Sequence, residues 1–420
     1  MEKLKLAEVE LETLTPSLLG GYDTGSYSYV LGKDFHETPR PPEIKGCLRW
    51  WLRALLAGAL WEAGKSEGEI KKEVNERVGR IFGTTFPPEK STVSQISLHV
   101  EGFQFVSPRP VRSRSRGVIP RLRLLVQGYK REEKERENWR LSCFPEGLRF
   151  KLSFHLQPKS NLGEEEKEIA MWSIALYLIF GGIGAITRRG FGALRLTKEP
   201  TFFKEILVNY LHYDKITSEL VRSTVGKALE SAHKLLGTSP REREETPPFP
   251  VPPFPVLVRS DNVFKTEVRE VIAEDSIDLL VKLGCCTLKE KWKRQREEKG
   301  YPYDTWILGL PRKGKIKDLD TGYLVQKQQE EREGHERRAS AICLKPLAKA
   351  KNEKKWKILV YGFLSRDWPE KRIKHYSAEP IKEGNKIVGW KPLSPQLVKT
   401  TCEDAFKNAW EKILNLLAQK

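Results

Sequence analysis

Between Phe180 and Arg195 the chain reads Phe-Gly-Gly-Ile-Gly-Ala-Ile-Thr-Arg-Arg-Gly-Phe-Gly-Ala-Leu-Arg, with five glycines (181, 182, 184, 190, 192), three arginines (188, 189, 195) and no carboxylate. Glycine accepts positive φ and lets backbone amides come close to a ligand, and arginine presents a forked cation that suits phosphate oxygens. The stretch is therefore a loop suited to holding a polyanion. The bland alternative is that the glycines only close the preceding helix and turn into the next strand, leaving the arginines in solvent. A nucleotide-binding loop is excluded, because there is no Gly-Lys-Ser/Thr ending and no Gly-x-Gly-x-x-Gly spacing that opens a helix. The loop also follows its helix, so no helix N-terminus lies ready to hold an anion there.

The elements around the loop can be read from periodicity. Residues 4–14 alternate Val9 and Leu11 with Glu8, Glu10 and Glu12, the mark of a half-buried strand. A loop follows through Gly20, Gly21 and Asp23 to the basic turn at Arg40, Pro41 and Pro42. From Ile44 to about Trp61 a helix is expected, with Leu48, Leu52, Leu55, Leu56 and Ala59 inward and Lys45, Arg49 and Arg53 four apart as a cationic ridge. Solvated helix faces usually mix lysine with glutamate, whereas this ridge meets no acid until Glu62, so phosphate contact is the favoured reading. Trp50 flanks the ridge or packs inward. A second helix carries Ile70, Val74, Val78 and Ile81 and stops at Gly83; strands are expected at 96–101, 122–126 and 148–156. Between the first two strands lies an acid-free basic loop with Arg109, Arg112, Arg114 and Arg116, an arm that would order on nucleic acid. A helix over 164–180 then leads into the glycine loop, and 193–197 returns as a strand.

The second half is less regular. A helix is expected to end at Gly237, the proline-rich segment 246–255 is an extended linker or strut, 268–283 reads as helical, and 289–299 is densely charged. Strands are expected through Leu344 and over 357–364, and a last helix over 403–417 buries Phe406, Ala409, Trp410, Ile413 and Leu417.

The totals favour nucleic acid as partner. A formal charge of +18 over 420 residues suits an RNA, a DNA or an acidic membrane better than a small molecule. The length suits two domains. Six cysteines show no Cys-x-x-Cys spacing and are read as reduced and buried, with no metal or cofactor implied. The uncharged run 169–186 stops at two glycines, too short to span a bilayer, so a cytoplasmic protein is expected.

Three stretches in order resemble the RAMP superfamily of CRISPR proteins: Leu14-Thr15-Pro16 to Gly20-Gly21; Arg40-Pro41-Pro42-x-Ile44-Lys45-Gly46-x-Leu48-Arg49-Trp50-Trp51-x-Arg53; and Gly181-Gly182-Ile183-Gly184 to Thr187-Arg188-Arg189-Gly190-Phe191-Gly192. Arg338-Ala339-Ser340 resembles the family at a strand entry. Within the superfamily the chain is similar to the first RAMP subunit of type III-B (Cmr) effector complexes. The resemblance implies an α+β fold of two ferredoxin-like, RRM-related domains, 1–200 and 201–420, with the glycine-rich loop between them; a basic insertion at about 240–336 has no place in the family pattern. It also implies a non-catalytic subunit that engages the 3′ region of guide or target RNA beside other Cmr-complex subunits.

Read together, the candidate RNA-binding residues are Arg40, Lys45, Arg49, Trp50, Arg53, Arg112, Arg114, Gly181, Gly182, Gly184, Arg188, Arg189 and Gly190. They would line one groove for single-stranded RNA, contacting phosphates without reading sequence. The rival is an endoribonuclease, with Asp23 and His36 as its best candidates, since the seven histidines show no pairing in the sequence. A third reading is a protein scaffold.

Overall fold

A computed structural model describes residues 4–19, 39–84, 91–102, 109–110, 142–241, 251–287, 304–310, 312–316, 319–325, 338–351, 353–384 and 386–418. The expectations at Gly20, Gly21, Asp23, His36, Arg112, Arg114, Arg116, 122–126 and 289–299 lie outside them. The fold is mixed α+β with antiparallel strand pairs. By contacts the chain forms two compact units, residues 1–284 with 343–363, and residues 285–342 with 364–419. The expected boundary near 200 falls inside the first of these.

In the first unit, β1 (Lys5–Thr13) is followed by α1 (Pro41–Glu62), α2 (Glu67–Phe82), β2 (Ile96–Glu101), β3 (Arg149–Leu156), α3 (Glu164–Phe180) and β4 (Leu194–Leu196). The strands form one sheet in the order β2-β3-β1-β4, each neighbour antiparallel. Alternation in β1 works as the sequence implies: Ala7, Val9 and Leu11 enter the apolar core with Leu152, Phe154 and the inner faces of α1 and α3. The other face is ion-paired: Glu12 meets Arg149 and Arg195, Glu10 meets Lys198, and Lys151 reaches Glu8 and Glu101. At α2 the Ser66 hydroxyl accepts the Glu69 N–H and the Glu69 carboxylate accepts the Ser66 N–H, a reciprocal cap that fixes the helix start.

The unit continues through α4 (Ser218–Leu236), β5 (Phe264–Ile272), α5 (Ser276–Cys286), β6 (Ile342–Lys349) and β7 (Lys355–Phe363). Thr217 caps α4 at its start, and Gly237, at φ +60°, ends it. The three strands form a second sheet in the order β6-β7-β5. Residues 268–283 are therefore not one helix: the chain is strand through Ile272 and turns helical only at Ser276. β5 and α5 build this unit, so 251–287 is not part of a separate insertion. One apolar core runs from Ala7 to Phe363, and Trp51 stacks on Phe180 at 5.2 Å. That shared core is why the unit does not divide at 200. Of the proline-rich segment only 251–255 are described; Val251 is buried there, and just beyond it the Leu257 N–H donates to the Ala54 carbonyl of α1 (2.9 Å), so this part packs on the fold.

The second unit holds a four-stranded sheet that includes Arg312–Ile316, Leu319–Val325, Ile373–Tyr376 and Gln396–Leu397. It also holds a two-stranded ribbon of β8 (Ala378–Glu383) and β9 (Lys386–Pro392), and the terminal helix α6 (Cys402–Ala418). As expected, α6 buries Phe406, Ala409, Trp410, Ile413 and Leu417. Among the described residues no helix is long and apolar enough to cross a membrane.

Candidate nucleic-acid interface

The glycine turn is held from several sides before any ligand is considered. The Thr15 hydroxyl donates to the Gly190 carbonyl (2.5 Å) and accepts the Ala193 N–H (3.1 Å). Gly192 N–H donates to the Pro16 carbonyl (2.9 Å) and Ala185 N–H to that of Leu18 (2.9 Å). The Leu-Thr-Pro stretch is thus the clasp of the glycine turn, a role its sequence does not announce. From the other side, the Leu344 N–H of β6 donates to the Arg188 carbonyl (3.1 Å). At the end of α3, Lys345 donates to the Leu178 carbonyl, Tyr361 to that of Phe180 (2.7 Å) and Tyr177 to that of Gly182 (3.2 Å). Lys345 is buried, which pulls its ammonium down to about 7.

These contacts correct the expectation that the glycine amides face phosphate. Gly181 N–H donates to the Tyr177 carbonyl (2.8 Å) and Gly190 N–H to that of Thr187 (3.1 Å). Gly184 N–H donates to the Glu43 carboxylate (3.2 Å), so an acid of α1 occupies the place proposed for an anion. The glycines serve close packing instead. Gly192 stands at φ +58°, where a Cβ would lie 1.9 Å from the Ile183 carbonyl oxygen, and a Cβ on Gly182 would lie 2.8 Å from that of Gly192.

The arginines of the turn divide. Arg189 is 4% exposed, and its guanidinium donates to the Arg188 carbonyl (3.2 Å), so it is part of the interior. Arg195 pairs with Glu12 at 2.9 Å. Arg188 is half-buried, with its guanidinium carbon 6.0 Å from the Trp50 ring centroid, within reach of a cation–π contact. Burial pushes the neighbouring Cys47 thiol up to about 11, with Glu43 adding to the effect and Arg188 opposing it.

α1 presents both kinds of surface. At about 100° per residue, the ridge of Lys45, Arg49 and Arg53 lies roughly 125° around the helix from Glu43, Cys47 and Trp50, which face the turn. The ridge therefore does not point at the glycines. Arg49 caps α2: its guanidinium donates to the carbonyls of Phe82 (2.6 Å) and Gly83 (3.1 Å), cations favoured at a helix C-terminus. Lys45 is half-buried and Arg53 is exposed; partial desolvation and the nearby Arg49 pull both below their ordinary pKa. Gly46 lies between ridge and turn, exposed, with nothing within 4 Å of where a Cβ would stand. Trp50 is half-buried, edge-on to Trp51 (4.6 Å) and Phe363 (5.4 Å). Arg40, just before α1, is exposed. Only Trp50 and Arg188 are brought together; Arg40, Lys45 and Arg53 stay on the outer side of α1 away from the turn, and Arg49, Arg189 and the turn glycines are structural.

Two histidines do meet, against the expectation from sequence. His99 and His155, on β2 and β3, lie with ring centroids 5.4 Å apart and planes at 82°. Edge-to-face contact leaves no room for a phosphate between the rings, and Glu101 shares their face of the sheet. Among the described residues no group of three or more His, Cys, Asp or Glu could hold a metal ion.

Residues 10–195, from β1 through the glycine turn, match the RAMP superfamily, and this part of the chain is a RAMP superfamily domain. A curated relative is the CRISPR system Cmr subunit Cmr1-1 of Pyrococcus furiosus, 24% identical over 323 residues that cover 75% of this chain and 80% of that protein. Among solved structures, a chain of the type III-B Cmr-beta complex bound to cognate target RNA and AMPPnP in the presence of ssDNA aligns over 99% of this chain and 100% of its own, with a TM-score of 0.52 and 15% identity, a likeness of fold. The apo crystal structure of Pyrococcus furiosus Cmr1 aligns over 87% of this chain and 90% of its own, with a TM-score of 0.49 and 21% identity.

Proposed function

We propose that this chain is a non-catalytic, single-stranded RNA-binding subunit of a type III-B Cmr effector complex, engaging the 3′ region of guide or target RNA through phosphate contacts. The observation that carries the reading is the outer side of α1, where exposed Arg53 and Gly46 and half-buried Lys45 stand on the same helix as Trp50, whose ring Arg188 approaches. Lysine and arginine with little opposing acid bind phosphates without reading bases, which suits a subunit that must accept any guide. Exposed Gly46 lets a backbone lie close to the helix. Glu43 is the carboxylate in the first turn of α1, and the Gly184 N–H already engages it.

Strand order supports two ferredoxin-like units around the glycine turn. The first sheet runs second-third-first-fourth strand, and the second sheet, β6-β7-β5, repeats second-third-first. On this reading the second ferredoxin-like half begins near Phe264, within the first compact unit, and its additional chain lies between α5 and β6. Kinship with Cmr1-1 of Pyrococcus furiosus and the fold shared with a chain of the Cmr-beta complex, which was bound to target RNA, support the assembly.

The test is anisotropy of labelled single-stranded RNA at two salt concentrations with Arg53→Ala/Arg188→Ala. Affinity is expected to fall several-fold and the salt slope to flatten by about 0.7 for each lost contact. Equal affinity of variant and parent at both salts would remove this surface as the RNA site. Cleavage of that RNA by the parent, lost in His99→Ala, would replace the binding role with a nuclease.

A further inference from the structure

We propose that Ile186 is the positioning residue that sets Arg188 against Trp50: an isoleucine held in the left-handed backbone region by an apolar seat, so that the turn presents that guanidinium in one place. This inference rests on the proposed RNA contact at Arg188.

Two non-glycine residues among those described have positive φ, Ile186 (+60°) and Phe203 (+44°). A β-branched side chain crowds its own backbone there, so the conformation is strained and persists only where surrounding contacts hold it. Phe203 is held by stacking on Trp172 at 4.0 Å. The glycine turn uses glycine at its other left-handed positions, 184, 190 and 192, so an isoleucine at 186 calls for a reason. Its side chain supplies one. Ile186 is half-buried and packs against the cluster of Leu18, Cys143, Phe191 and Leu280. Glycine would take this backbone as readily as several others, whereas the seated isoleucine keeps one.

Backbone contacts on both sides make Ile186 a pivot. The Ala185 N–H donates to the Leu18 carbonyl (2.9 Å), which fixes the chain entering it. The Arg189 N–H donates to the Ile186 carbonyl (2.9 Å) and the Gly190 N–H to that of Thr187 (3.1 Å), two successive turns with Arg188 inside both. If Ile186 returned to an ordinary φ near −60°, the chain beyond it would rotate by about 120° around a single bond. Arg188 is the first cation beyond that bond, and its guanidinium carbon lies 6.0 Å from the Trp50 ring centroid. The Leu344 N–H holds the Arg188 carbonyl (3.1 Å), but the direction in which the side chain leaves the backbone follows from the turn. The seat of Ile186 therefore selects where the guanidinium of Arg188 stands.

The experiment reads anisotropy of labelled single-stranded RNA with the full chain, with Ile186→Val and Arg188→Ala, and with Ile186→Gly and Ile186→Asn, each with and without Arg188→Ala. Circular dichroism checks that each variant is folded. Glycine and asparagine accept the left-handed backbone and lack the apolar seat, so asparagine serves where glycine loosens the fold; valine keeps the seat. Arg188→Ala is expected to weaken binding about fivefold, Ile186→Gly and Ile186→Asn at least about threefold, and Ile186→Val less than about twofold. In the Arg188→Ala background the same glycine or asparagine is expected to add less than about 1.5-fold, because residues that act through one contact are not additive. Equal losses in both backgrounds would mean that Ile186 touches RNA itself or holds some other group, and would overturn the positioning role. Full affinity of Ile186→Gly and Ile186→Asn beside a weakened Arg188→Ala overturns that role and leaves the RNA contact standing. Full affinity of Arg188→Ala removes the RNA contact at this residue, and the inference with it.

Discussion

The glycine turn and the outer side of α1 carry the same chemistry in sequence, arginines with no acid among them, and they have opposite fates in the fold. In the turn, neighbouring residues separate: Arg188 lies against Trp50, while Arg189 is enclosed and its guanidinium meets the Arg188 carbonyl. On α1, Arg49 closes the end of α2 and Arg53, one helical turn on, stands in solvent. A basic residue becomes a ligand contact only when no nearby carbonyl claims it. The turn is rich in such carbonyls, because its glycines bring backbone close to backbone. The helix has none free except at its end, so its cations remain outward unless a second helix terminates beside them.

The comparison breaks most readily at Gly192. Gly192→Ala forces a side chain into the Ile183 carbonyl at positive φ, and it is expected to cost at least about 3 kcal/mol, read as a fall in thermal midpoint. An unchanged midpoint would mean that the turn is soft, and its amides would again be available to phosphate.

Next in size is Lys345, which pins the end of α3 from β6. Its folded pKa, lowered by burial to about 7, lies below the ordinary value of 10.5. Between these values the unfolded chain holds a proton that the folded chain does not, so this residue makes stability rise with pH, by up to about 1.4 kcal/mol per unit, and the gain is lost as pH falls to 7. Denaturant titrations from pH 7 to 9 should show a steeper rise for parent than for Lys345→Met. Parallel profiles would show that the ammonium keeps its charge inside.

The smallest expected effect separates the two arginines of α1. Arg49→Ala should cost about 1 kcal/mol of stability by uncapping α2. Arg53→Ala should leave the thermal midpoint unchanged and weaken RNA binding. If the two variants exchange these effects, the division of α1 into structural and binding cations is wrong.

Much of the architecture follows from local pattern. Alternation marks β1 and β3, four-residue spacing marks α1 and α2, and glycine ends α2 at 83 and α4 at 237. The failure at 268–283 has a local cause as well, since Val268, Val271 and Ile272 serve a helical stripe and a β-branched strand equally. The candidate site was less legible. Glu43 meeting Gly184, Arg49 meeting Phe82, Arg189 entering the interior and His99 meeting His155 all join residues far apart in the chain. No spacing rule reports which donor will reach which carbonyl across a fold. Arg53 and Lys45 were readable because an amphipathic helix reveals its outward side from its own sequence.

The double anchoring of Arg188 sets an order of events for the nascent chain. Its side chain emerges early, yet the strand that holds its carbonyl is not synthesised until residue 344. Before then the turn is held only from the first sheet's side, by Thr15, Pro16, Leu18 and Glu43, and Phe363 has not arrived beside Trp50. A polypeptide stalled or cut after the first sheet would carry these arginines without the full framework that aims them. On the proposed function, the RNA-binding surface would be complete only after residues 344 and 363 are in place.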